Sequence, residues 1–118
     1  MGRSWHRLKR RTEFLDVAAS GLRRATPGFV IQAKAFANGP LRIGFTASRK
    51  VGGAVVRNRA KRRLRAVVDK VFAGSALSGW DFVLIARTET VTRDFAVLSS
   101  DLSQAVARVT TDRPRPRA

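Results

Sequence analysis

The sequence predicts an α+β domain, a single sheet with helices packed against it in a two-layer sandwich, in the order α-β-β-β-α-β-α. Three observations carry this reading. Apolar residues recur at spacings of three and four in three separate stretches, the mark of amphipathic helices. Between them lie shorter apolar runs bounded by Gly, Pro and Asn, the mark of strands. At 118 residues the chain has the size of one ordinary domain with one core.

The first helix is expected from Thr12 to Ser20, where Phe14, Leu15, Val17 and Ala18 follow Thr12 and Glu13. Gly21 ends it, because glycine adopts the left-handed conformation without penalty. After Pro27 and Gly28, the segment Phe29 to Ala37 reads as a strand whose wetter face carries Gln32 and Lys34. Asn38, Gly39 and Pro40 form a turn, and Leu41 to Ser48 reads as a further strand. So short a connection predicts that the two pair as an antiparallel hairpin. Gly52 and Gly53 break the pattern before a helix from about Val55 to Phe72, with Gly74 near its end. Asp81 to Arg87, DFVLIAR, is nearly continuous in apolar residues, which suits a buried central strand. The last helix covers Arg93 to Val109, with Phe95, Leu98, Leu102, Val106 and Val109 on one face. Asp94 and Arg108 stand at the ends that suit its dipole. Residues 113–118 alternate Pro and Arg and are expected to be a disordered basic tail beyond a single domain of residues 1–112.

Lys and Arg number 24 against 8 Asp and Glu, a formal net charge of +16. Such a balance repels itself in the compact state and calls for a polyanionic partner, of which nucleic acid is the leading candidate. The charge is uneven, since no acid occurs between Asp16 and Asp69 while that interval holds twelve Lys and Arg. Cysteine is absent, which excludes disulfides, thiolate metal sites and a cysteine nucleophile. No apolar run suits a signal peptide or a bilayer span, so a cytoplasmic protein without a membrane partner is expected. His6, the sole histidine, has no predicted carboxylate or nucleophile beside it, so no catalytic residue is assigned. Asp16, Asp69 and Asp81 come from separate elements without ligand spacing, and caps and salt bridges explain them better than a metal. Phe72, Phe82 and Phe95 belong to the core by their apolar surroundings, Trp80 to a loop, and Phe29, Phe36 and Phe45 to the core unless they present rings on a sheet face.

The candidate site is the run RNRAKRRLR, Arg57 to Arg65, with six cations in nine positions and no carboxylate. Ala60, Leu64, Val67, Val68 and Val71 recur among the charges at helical spacing, so the charge is mounted on a packed scaffold. With Leu64 facing the core and about 100° per residue, Asn58, Arg59, Arg62, Arg63 and Arg65 point outward. Lys61 sits at the border, and Arg57 falls on the apolar side, where it would support the adjoining loop. A mixed helix surface would read as merely solvated, but unrelieved positive charge reads as binding. Arginine's planar fork holds two phosphate oxygens or stacks on a base, which favours a structured RNA. Arg49, Lys50, Gly52 and Gly53 add two cations and a backbone that approaches phosphate closely.

The whole stretch KVGGAVVRNRAKRRLR, Lys50 to Arg65, resembles the signature of the protein subunit of bacterial ribonuclease P, its RNR core being Arg57, Asn58 and Arg59. RLKRRTEFLDV, RIGFTASRK and DFVLIAR resemble the corresponding family segments in the same order. The resemblance implies a left-handed βαβ crossover through the basic helix, against the general rule. It implies a catalytic RNA subunit that removes the 5′ leader of precursor tRNA with magnesium ions held mainly by the RNA, and no obligate protein partner. Arg57, Asn58, Arg59, Lys61, Arg62, Arg63, Arg65, Arg49 and Lys50 would then face the RNA subunit. A cleft between the first helix and the sheet would take the single-stranded leader, with Phe14 as aromatic platform and Arg7, Lys9, Arg10 and Arg11 as its cations. Ala18 and Gln32 stand where better-known members have aromatics, so stacking is either weaker here or supplied by Trp5. A small basic ribosomal protein and a nucleoid protein binding duplex DNA are the competing readings of the composition.

Overall fold

The apolar run DFVLIAR lies at the centre of the sheet, its residues Asp81 to Ala86 within a strand that begins at Ser78. The computed structural model describes residues 4–111. In chain order the elements are β1 (His6–Arg7), α1 (Arg11–Ala19), β2 (Leu22–Ala25), β3 (Phe29–Pro40), β4 (Arg42–Thr46), α2 (Ala54–Val71), β5 (Ser78–Ala86) and α3 (Phe95–Thr111). Single 3-10 turns occupy Arg49–Val51 and Thr88–Thr90. The expected tail, residues 113–118, lies outside the described residues.

The five strands form one sheet in the order β1-β4-β5-β3-β2. β3 and β4 therefore do not make the expected hairpin, because β5 stands between them. β3 runs antiparallel to β5, with Ile31 opposite Leu84, and β4 runs parallel to it, with Phe45 opposite Leu84. The reason is burial. Trp80, Phe82, Leu84 and Ala86 of β5 enter the main core while Val83 enters a second cluster on the opposite face, so β5 needs cover on both sides and a neighbour on both edges. The Asn38, Gly39, Pro40 signal marks an irregular stretch of β3 between Ala35 and Pro40, where the chain rounds the end of β5. Gly79 permits this approach, since a Cβ there would lie 3.1 Å from the Phe36 carbonyl oxygen.

α2 and α3 cover one face of the sheet, burying Ala60, Leu64, Val67 and Val68 from the first and Leu98, Leu102, Ala105 and Val109 from the second. α1 lies on the other face, where Val17 packs with Leu8 and Val83, and Phe14 and Ile85 close the cluster. Trp80, expected on a loop, is a buried residue of β5 stacked on Phe82 at 5.8 Å between centroids. Phe29, Phe45, Phe72 and Phe82 are buried, while Phe36 and Phe95 are half-buried.

Candidate nucleic-acid interface

α2 starts where the backbone turns sharply after the Arg49–Val51 turn. Gly52 has φ 149°, and a Cβ there would meet Val56 at 3.0 Å, so both conformation and space require glycine. Opposite the buried Leu64 face, Asn58, Arg59 and Arg62 are exposed, as are Arg49 and Lys50 beside the helix start. Asn58, Arg59 and Arg62, three and four residues apart, form one exposed stripe along the first half of α2. Lys61 and Arg65 are half-buried at its borders.

One member of the run departs from the expectation. Arg63, expected to point outward, is half-buried and donates from Nη1 to the Thr90 carbonyl at 2.9 Å, tying α2 to the turn after β5. One of its donors is therefore committed to the fold. Arg57, expected to support the adjoining loop, is half-buried and lines a hollow of about 210 Å³ with Ala47 of that loop, Ala54, Asn58 and Lys61. Its Nε is buried without a hydrogen-bond partner among the described residues. The first carboxylate after the run, Asp69, accepts the Trp5 indole N–H at 3.0 Å.

A second surface lies between α1 and the sheet. Arg7, Leu8, Lys9, Phe14 and Phe45 line an open groove of about 370 Å³. The Phe14 ring rests on the backbone of Gly44, where a Cβ would come within 2.5 Å of it. Arg7, Lys9, Arg10 and Arg11 are exposed; the first two line the groove, and Arg10 and Arg11 stand next to it in the chain. Trp5 is not available there. It is 3% exposed, packs edge-on against Phe45 at 5.7 Å and belongs to the main core. The residue before it, Ser4, donates its hydroxyl to the Phe72 carbonyl, so the arm straps the end of α2. Ala18 is exposed on α1, and Gln32 is half-buried opposite Val83 on the same sheet face, so neither supplies a ring.

Behind the groove stands an ion network. Arg42 of β4 donates from Nε and Nη2 to the two carboxylate oxygens of Asp81 in β5, at 2.8 and 2.7 Å. Its Nη1 donates to Glu13 Oε2 of α1 at 2.7 Å. Glu13 Oε1 in turn accepts the backbone N–H groups of Arg10 at 2.9 Å and Lys9 at 3.1 Å. Those two backbone bonds hold the Glu13 carboxyl below its usual range, helped by the charge of Arg42 and opposed by desolvation. The Asp81 hydrogen bonds chiefly hold the Arg42 guanidinium above its own. Sequence reasoning assigned Asp81 to a salt bridge but missed the triad, whose only local trace is a lone acid opening an apolar strand.

The donor set does not suit a divalent cation. Both acids of the triad face a guanidinium, and among the described residues no group of three or more His, Cys, Asp or Glu could hold a metal ion. No described helix is long and apolar enough to cross a membrane.

The sequence profile of the family described as Ribonuclease P matches residues 3–110. The ribonuclease P protein component of Paramagnetospirillum magneticum is 49% identical over 109 residues, covering 87% of this chain and 81% of that one. That of Gluconacetobacter diazotrophicus is 49% identical over 104 residues, covering 87% and 90%. Among solved structures, the RNase P protein from Thermotoga maritima superposes with a TM-score of 0.73 at 28% identity, over 87% of this chain and 96% of that one. A Staphylococcus aureus RNase P protein has the same fold, with a TM-score of 0.71 over 87% and 94% of the two chains at 24% identity.

Proposed function

This chain belongs to the ribonuclease P protein family, and from that premise we propose that it binds two RNAs on two separate surfaces. It is a protein component of a tRNA-processing ribonucleoprotein endoribonuclease. In our reading its exposed α2 stripe, Asn58, Arg59 and Arg62, docks the catalytic RNA subunit, with Arg49, Lys50, Arg57, Lys61, Arg63 and Arg65 around it. The groove at Phe14 receives the 5′ leader of precursor tRNA, with Arg7, Lys9, Arg10 and Arg11 along the strand. The RNA subunit performs the cleavage and holds the magnesium ions, and the complex works in the cytoplasm.

The observation that supports this most directly is the placement of the two surfaces. Asn58, Arg59 and Arg62 are exposed opposite the buried Leu64 face, while the groove on the α1 side of the sheet sets the Phe14 ring beside the exposed cations Arg7 and Lys9, with Arg10 and Arg11 exposed next to it. A single strand offers both bases and phosphates, and a ring flanked by cations answers both. The helix stripe offers charge and amide groups without a ring, which suits the backbone of a folded RNA. Family membership separates the chain from the ribosomal and nucleoid readings that composition left open.

Reconstitution tests the proposal. With its cognate RNA subunit at low magnesium, the protein is expected to stimulate leader removal from precursor tRNA. No stimulation, or tighter binding to duplex DNA than to the RNA subunit, would overturn it.

A further inference from the structure

We propose that Asp81 is a positioning residue of the leader groove, acting through Arg42 and Glu13 on the wall that carries Phe14. The inference rests on the reading of that groove as the leader site.

Asp81 is 4% exposed in the central strand, so it has almost no surface to offer a ligand. A buried carboxylate is costly unless paired and hydrogen-bonded, and a well-made buried pair gives little net stability over an apolar contact of the same size. Its use in this fold is therefore geometric. Arg42 and Asp81 are registered neighbours across the parallel β4–β5 pair, and the two-pronged bond fixes the plane of the guanidinium. That plane leaves Nη1 aimed at α1, where it meets Glu13.

Glu13 divides its oxygens between the two sides. Oε2 takes Arg42, and Oε1 takes the N–H groups of Lys9 and Arg10. One line of charge-assisted bonds thus runs from the middle of the sheet to the first turn of α1 and the segment leading into it. Phe14 follows Glu13 directly, and Gly44, on which its ring rests, lies two residues after Arg42 on the same sheet face. The aromatic wall and the cation Lys9 are both suspended from one guanidinium.

The triad does not compete for the leader itself. It holds one positive and two negative charges, and three of the five Arg42 donors already point at carboxylates, so it repels phosphate more than it attracts it. Lys34 stands opposite Asp81 across the β3–β5 pair, but both carboxylate oxygens accept from Arg42. The effect of Asp81 on the leader must pass through the position of α1.

A double-mutant cycle in the reconstituted holoenzyme tests this. Precursor tRNA with a long leader is compared with one whose leader is a single nucleotide, and affinity for the RNA subunit is measured in parallel. Asp81→Asn is expected to weaken long-leader binding by roughly fivefold to tenfold, raising KM with kcat at saturation unchanged. Affinity for the RNA subunit stays the same. Phe14→Ala combined with Asp81→Asn is expected to lose no more than Phe14→Ala alone, because both remove the same wall. Additive losses, equal losses of RNA-subunit affinity, or unchanged leader binding would each overturn the proposal. Should Asp81→Asn fail to fold, Glu13→Gln, at the more exposed end of the line, runs the same cycle with the same outcomes. If Phe14→Ala itself leaves leader affinity intact, the leader reading fails; if it weakens that affinity and Glu13→Gln does not, only the positioning role fails.

Discussion

Phe14 and Gly44 interlock. A Cβ at residue 44 would lie 2.5 Å from both Cε2 and Cζ of the ring, closer than two carbons approach without one moving. The Cε2–Cζ edge of the groove's aromatic wall therefore lies against bare backbone, and the glycine belongs to the site as much as the ring does. Gly44→Ala is expected to push Phe14 outward, costing about 1–3 kcal/mol as overpacking does. Thermal denaturation and leader binding by the holoenzyme should both register it, and a variant that keeps full stability and full leader affinity would show the contact to be slack.

The two surfaces should separate by mutation. Arg59→Ala with Arg62→Ala is expected to weaken binding to the RNA subunit more than binding to the leader, with Phe14→Ala doing the reverse. Each lost phosphate contact should also flatten the dependence of log affinity on log salt by roughly 0.7 to 0.9. Equal effects of both variants on both ligands would mean that the surfaces are wrongly divided.

Trp5 belongs to the core and not to the groove, so its replacement should act on stability and spare the leader. Trp5→Phe keeps a ring beside Phe45 but deletes the indole donor to Asp69. The expected loss is about 0.5–1.5 kcal/mol of stability for one hydrogen bond, with leader affinity within twofold of the parent. A large, leader-specific loss in calorimetrically stable protein would return the residue to the site.

Acid should loosen α1. The Glu13 carboxyl is held below its ordinary value of 4.5 in the folded chain, so its ionised form is favoured by folding. That stabilisation is fully present above the ordinary value and disappears as pH falls through the lowered folded value. Denaturation curves from neutral pH into the acid range should show stability declining below about 4.5, and Glu13→Gln should remove its share of that decline. An unchanged slope in Glu13→Gln would show that other carboxylates carry the acid sensitivity.

Much of this was legible in the chain because local pattern and tertiary environment agree. Leu64, Val67 and Val68 repeat at helical spacing and are all buried, so the outward face of Asn58, Arg59 and Arg62 followed from phase alone. DFVLIAR read as central because a strand apolar on both faces has nowhere else to go. The β3–β4 pairing failed for a physical reason: turn chemistry reports that a chain reverses, not whether a strand from far downstream will slip between the two arms. Trp5 was misplaced because a tryptophan among basic residues looks exposed, and its partner Asp69 is 64 residues away. Arg63 differs from its outward neighbours through its bond to the Thr90 carbonyl, which no helical wheel contains. β1 and β2, of two and four residues, are too short to impose a periodicity.

The position of β5 also has a consequence for synthesis. The strand that joins the two halves of the sheet is the last to be made, since β3 and β4 flank Ser78–Ala86. Until that segment leaves the ribosome, the nascent chain holds two strands with unpaired inner edges and a basic helix with no sheet to cover. Long-range pairing of this kind is slow and aggregation-prone. The cations of α2 repel one another in that state, and the apolar face that carries them gains its sheet only once Ser78–Ala86 has been made.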